Sequence, residues 1–129
     1  MAQAHSPRFL ALVDSLRGRV AEIPAEALAA ALQADPQALL VDVREASEFA
    51  AGHVRGAVHL GKGVIERDIE QQVPDPDRPL YLYCGGGYRS LLAGEALQRM
   101  GYRRVVSVAG GWKALSGLLP VETPSGPAG

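Results

Sequence analysis

Leu80-Tyr81-Leu82-Tyr83-Cys84-Gly85-Gly86-Gly87-Tyr88-Arg89-Ser90 is the stretch that decides how this chain folds. Its first half is a short, continuous apolar and aromatic run. That pattern belongs to a strand buried on both faces of a parallel sheet. Three consecutive glycines then break the strand and permit the positive φ and close backbone approach of a tight loop. From Arg89 to Met100 the residues favour a helix, which Gly101 stops. Strand, glycine loop and helix in this order make up part of a βαβ unit.

The same alternation recurs on either side. Ala38-Leu39-Leu40-Val41-Asp42-Val43 and Arg104-Val105-Val106-Ser107-Val108 are two further strand runs, with shorter strands expected at Glu22-Ile23 and Ala57-Val58-His59. Helices are expected over about 7–17, where Ser6 and Pro7 form a start, and from Pro24 through Leu32. Others are expected over Ala46 to Ala51, Val64 to Gln72, and from Gly111 through Leu115. The alternation predicts an α/β fold with three layers: a mainly parallel central sheet and helices on both faces. The 129 residues read as one domain with a core over about 20–121. The tail over 122–129 shows no core pattern, and its end is expected to be loosely held.

Composition removes several function classes. Thirteen Lys and Arg against 14 Asp and Glu give a net charge of -1, without the basic excess of a nucleic-acid-binding domain. No apolar run approaches the roughly 18–20 residues of a membrane helix, and the first residues lack a signal-peptide pattern. No nucleic-acid or membrane partner is therefore expected, and the expected compartment is the cytoplasm, where a thiol stays reduced. A single cysteine forms no internal disulfide, and with three histidines it does not readily build a closed four-ligand zinc site. Neither metal nor cofactor is expected.

The lone cysteine is the candidate nucleophile. Ligands of parallel sheets collect beyond the carboxyl ends of the strands. Cys84 lies at one such end and Asp42 near another. Around Cys84, the N–H groups of Gly85, Gly86, Gly87, Tyr88, Arg89 and Ser90 are able to turn toward one centre. The helix start adds its positive dipole end, and Arg89 a permanent charge. Tyr88 is expected to shape the mouth, and Ser90 to cap the helix or bond the loop. Such a cradle stabilises a thiolate, a persulfide anion or a bound oxyanion. The plainer reading is a small buried cysteine followed by a glycine turn, and the strand–loop–Arg–helix context weighs against it.

This loop resembles the active-site loop of rhodanese-like sulfurtransferases, in which four residues separate the cysteine from an arginine followed by Ser or Thr. Two further segments share the resemblance. Asp42-Val43-Arg44-Glu45 through Glu48-Phe49, Gly52-His53-Val54 and Gly56-Ala57 is similar to the family's upstream signature, and Gly110-Gly111-Trp112 to its downstream one. Together they run from about Ile23 to Val121. The resemblance implies a sulfurtransferase of thiosulfate:cyanide type. Cys84 would take a sulfane sulfur from a small donor, thiosulfate or another persulfide, and pass it to a thiol or cyanide. Protein donors or acceptors would be further partners. A non-catalytic persulfide carrier or docking module is the alternative. A small cysteine phosphatase or arsenate reductase is a weaker one, since such phosphatases place one residue more between cysteine and arginine. Gly85 stands where many single-domain members carry arginine, so weak use of doubly charged thiosulfate is expected.

Other residues have two readings each. Asp42 and Arg44 point the same way from a strand end. Either they face the sulfur pocket, with Asp42 fixing the loop, or they are structural, with Asp42 on backbone N–H groups and Arg44 bridging an acid such as Glu48. Lys62, between Gly61 and Gly63, either reaches the pocket rim and supplies the cation missing at Gly85, or is solvated. His53 and Trp112 are expected to pack, and His5 to be solvated.

Overall fold

The computed structural model describes residues 5–124 and 126–127. Five parallel strands form the central sheet: β1 (Ala21–Pro24), β2 (Leu39–Asp42), β4 (Val58–His59), β5 (Leu80–Tyr83) and β6 (Val105–Ala109), in the order β1-β6-β5-β2-β4. The strand that ends at the cysteine is central, as its unbroken apolar run requires. Leu80 and Leu82 face one side with Val41, Val43, Ile65, Ile69 and Leu97; Tyr83 faces the other with Leu28, Leu40, Val108 and Leu115. Each fully buried leucine contributes about 1.5–3 kcal/mol by leaving water.

Helices α4 (Ile65–Gln72) and α5 (Arg89–Arg99) cover the first face, and α1 (Pro7–Leu16) lies on α5. Helices α2 (Ala25–Ala34) and α6 (Gly111–Leu115) cover the second. Gly94 lets α5 approach closely, because a Cβ there would lie 2.9 Å from Val20 Cγ1. Between β2 and β4 runs the short helix α3 (Ala46–Ala51).

One layer of structure lies outside what the sequence suggests. β3 (His53–Val54), β7 (Val121–Thr123) and β8 (Gly126–Pro127) form a small antiparallel sheet, in which His53 pairs with Glu122 and Val54 with Val121. The start of the tail is thus paired into a strand, and Arg55 N donates to Pro120 O at 2.9 Å beside it. Residues 125, 128 and 129 of that tail lie outside the described residues.

Candidate active site

The β5 strand carries Cys84 to its carboxyl end, where the residue is 1% exposed. Sγ accepts the Gly87 N–H at 3.1 Å, and the Ser90 hydroxyl lies 3.4 Å from it. Gly87 holds φ at +99°, the left-handed turn that brings its amide back over the sulfur. Ser90 continues to the Ser107 hydroxyl at 2.7 Å, so a buried chain of hydroxyls runs from Sγ into β6.

Helix α6 holds the loop from behind. Trp112 N donates to Cys84 O at 2.7 Å, and Lys113 N to Gly85 O at 3.1 Å. In a planar trans peptide the C=O and the following N–H point opposite ways, so these bonds turn the Gly85 and Gly86 amides away from α6. The approach is so close that a Cβ on Gly111 would collide with the Cys84 carbonyl oxygen. This contact gives the Gly110-Gly111-Trp112 segment its physical reason.

Arg89 does not stand as a free charge. Its Nη1 and Nη2 donate to Glu48 Oε1 and Oε2 at 2.9 and 3.2 Å, a bidentate pair. Glu45 N also donates to Glu48 Oε1, at 2.9 Å. The Arg89 guanidinium, assisted by that amide, holds the Glu48 carboxyl below its ordinary range, while Glu48 raises Arg89. In front of the loop opens a cavity of about 460 Å³. Cys84, Gly85, Gly86, Arg89, Glu48 and Lys113 line it. His5, Phe9 and Tyr88 line it as an aromatic rim, with ring centroids 4.6 Å (His5–Tyr88), 5.4 Å (His5–Phe9) and 6.1 Å (Phe9–Tyr88) apart. His5, expected to be solvated, is exposed yet belongs to this rim.

Three supporting candidates are placed elsewhere. Asp42 does not fix the cysteine loop. Its carboxylate accepts from Arg44 N at 3.0 Å and pairs with the Arg44 guanidinium at 2.7 Å, both residues being buried. Arg44 is thus bound to Asp42 rather than to Glu48, bonds Gly52 O at 2.7 Å and stacks 4.4 Å from the Trp112 ring centroid. Lys62 lines a different cavity, with Arg44, His59 and Asp68, and is not among the residues that line the Cys84 cavity. His53 stacks on Phe49 with centroids 3.6 Å apart, and His59 Nε2 lies 2.8 Å from Arg44 O; neither lines the Cys84 cavity.

Sequence reasoning missed Glu48 as the partner of Arg89, Ser107, and Lys113. Only Ser107 carries a local signal, a hydroxyl inside the otherwise apolar run of β6. Among the described residues no helix is long and apolar enough to cross a membrane.

Known proteins are similar to this chain in sequence and fold. Thiosulfate sulfurtransferase GlpE of Pseudomonas putida is 36% identical over 91 residues, which is 70% of this chain and 81% of that protein. YrkF of Bacillus subtilis, provisionally named a sulfur carrier protein, is 28% identical over 76% of this chain. The match spans about half (52%) of that relative's own length. Among solved structures, a rhodanese with anions from E. coli is 31% identical with a TM-score of 0.60, covering 67% of this chain and 98% of that one. RPA3614 of Rhodopseudomonas palustris, a protein of unknown function described as a possible tyrosine phosphatase, is 28% identical with a TM-score of 0.73, covering 100% of this chain and 99% of that one. The model of the rhodanese-like domain matches residues 24–117, from the end of β1 past α6. With the parallel sheet, the cysteine at its central strand end and the glycine loop held by α6, that match leaves one assignment: the chain belongs to the rhodanese-like domain family.

Proposed function

We propose that the chain is a sulfurtransferase in which Cys84 carries the sulfur. With thiosulfate, the Cys84 thiolate attacks the outer sulfur, the S–S bond breaks, and sulfite leaves with the bonding pair. Cys84 is left as a persulfide. A cyanide or thiolate acceptor then attacks the terminal sulfur, forming thiocyanate or a new persulfide and returning Cys84 as thiolate. The observation that carries this reading is the Gly87 amide 3.1 Å from Sγ at the base of an open cavity. A fixed donor at that atom favours anionic sulfur without reorganisation. The amides of Gly85, Gly86, Tyr88, Arg89 and Ser90 complete the proposed cradle around the terminal sulfur. The proposed setting is a reducing compartment, the cytoplasm, where Cys84 remains a thiol.

The four residues between Cys84 and Arg89 favour sulfur over phosphate, because a smaller ring of amides suits one atom better than a tetrahedral group. One observation supports a second reading, a carrier loaded by another protein. Glu48 neutralises Arg89 and Gly85 supplies no cation, so attraction for free thiosulfate is weak. Steady-state assays separate the readings. Thiocyanate formed from thiosulfate and cyanide, and lost in Cys84→Ser, supports the enzyme. Cys84-dependent turnover of an aryl phosphate instead would overturn it.

A further inference from the structure

The cavity above Cys84 is larger and more apolar than a small inorganic donor needs. Its roughly 460 Å³ falls within the ~300–1,000 Å³ of pockets that hold organic ligands. The rim of His5, Phe9 and Tyr88 is an aromatic wall raised over the loop by the start of α1. Thiosulfate has no surface to place on such a wall. The charges agree. Arg89 is held by Glu48 in a bidentate pair, which leaves Lys113 as the cation on the cavity wall without an ion-pair partner among the described residues. With Arg89 paired and the sulfur itself the reacting group, Lys113 is thus, among the described residues, the one unpaired cation lining the site that is left to meet an anionic group on a donor.

On the reading that Cys84 transfers sulfur, we infer that its donor is an organic persulfide, R–S–SH, whose organic part carries one carboxylate. The carboxylate meets Lys113, and the organic part lies against Phe9, Tyr88 and His5. Cys84 thiolate attacks the outer sulfur, and the R–S bond partner leaves as the thiolate R–S⁻ with the electron pair of the broken S–S bond. Cys84 then bears S–SH. The proton stays on the transferred sulfur, and no external oxidant or reductant takes part. Lys113 assumes the role that the sequence suggested for Lys62, because α6 delivers it to the loop directly, its own amide bonding Gly85 O.

The test measures initial rates of sulfur loading on the full chain by intact mass, with N-acetylcysteine persulfide, the matching N-acetylcysteine amide persulfide, and thiosulfate. The acid is expected to load about tenfold faster than the amide, equivalent to roughly 1.4 kcal/mol. Lys113→Gln is expected to abolish that preference and Lys113→Arg to keep it. Phe9→Ala is expected to slow both organic donors relative to thiosulfate. His5→Ala, at an exposed position, makes the same test should Phe9→Ala fail to fold. Equal rates for acid and amide in the parent chain, or a preference that survives Lys113→Gln, would overturn the inference while loading from thiosulfate left the sulfurtransferase reading standing. No sulfur gain from any donor would overturn both.

Discussion

Two neighbouring strand ends, paired at Asp42 and Tyr83, meet opposite fates. At the end of β2, Asp42 and Arg44 are buried and satisfy each other, with Gly52 O and the Trp112 face taking what remains of the guanidinium. At the end of β5, Cys84 is equally buried, yet its sulfur meets an amide, a hydroxyl and then an open cavity. Both ends lie where ligands of parallel sheets gather. The difference is that one set of polar groups is spent on itself and the other is left facing space. Position in the fold offers a site, and unspent bonding capacity makes one.

This contrast can be broken at either end. The largest stability effect is expected at β2, because removing one partner of a buried pair strands the other charge. Asp42→Ala should cost about 3–5 kcal/mol in urea unfolding, while the fraction that remains folded still loads sulfur on Cys84. Loss of loading in well-folded Asp42→Ala protein would place that pair in the chemistry after all. At β5 the expected cost falls on function. Ser107→Ala removes the hydroxyl that orients Ser90 toward Sγ, a bond of about 1 kcal/mol, and should slow persulfide transfer roughly fivefold. An unchanged rate would show that the hydroxyl chain only fills the core.

Smaller effects are expected at Glu48, which pairs with Arg89 beside the cysteine loop. Its side chain is 37% exposed, so its pair with Arg89 is discounted for solvent, and Glu48→Gln should change stability by less than about 1 kcal/mol. The same variant frees Arg89, and thiosulfate use should rise severalfold. The sign of the pH dependence follows from the lowered Glu48 carboxyl. Its contribution is complete above the unfolded value of about 4.3 and disappears as pH falls through the lower folded one. Acid titrations of the parent chain and Glu48→Gln should therefore diverge above that window and converge below it. Parallel curves would contradict the pairing.

The comparison also explains what could be read in advance. β2, β5 and β6 are continuous apolar runs, and a strand buried on both faces announces itself that way. The cysteine loop was legible because its signal is local: glycines, arginine and a helix start within one turn of chain. β3 and β7 were not, since strands of two and three residues have no periodicity and exist only through their mutual pairing. Lys62 and Lys113 make the same point. A lysine between two glycines looks mobile enough to reach anything, but the packing of α6 against the Cys84 and Gly85 carbonyls decides which lysine arrives. The Arg89–Glu48 pair joins two motifs recognisable separately, and nothing in either motif names the other as its partner.

Everything distinctive about the β5 end rests on sulfur being held at Cys84. Intact mass after incubation with thiosulfate or an organic persulfide asks this directly. A gain of one sulfur atom, removed by cyanide and absent from Cys84→Ser, is expected. No gain with any sulfane donor, or the same gain in Cys84→Ser, would contradict it.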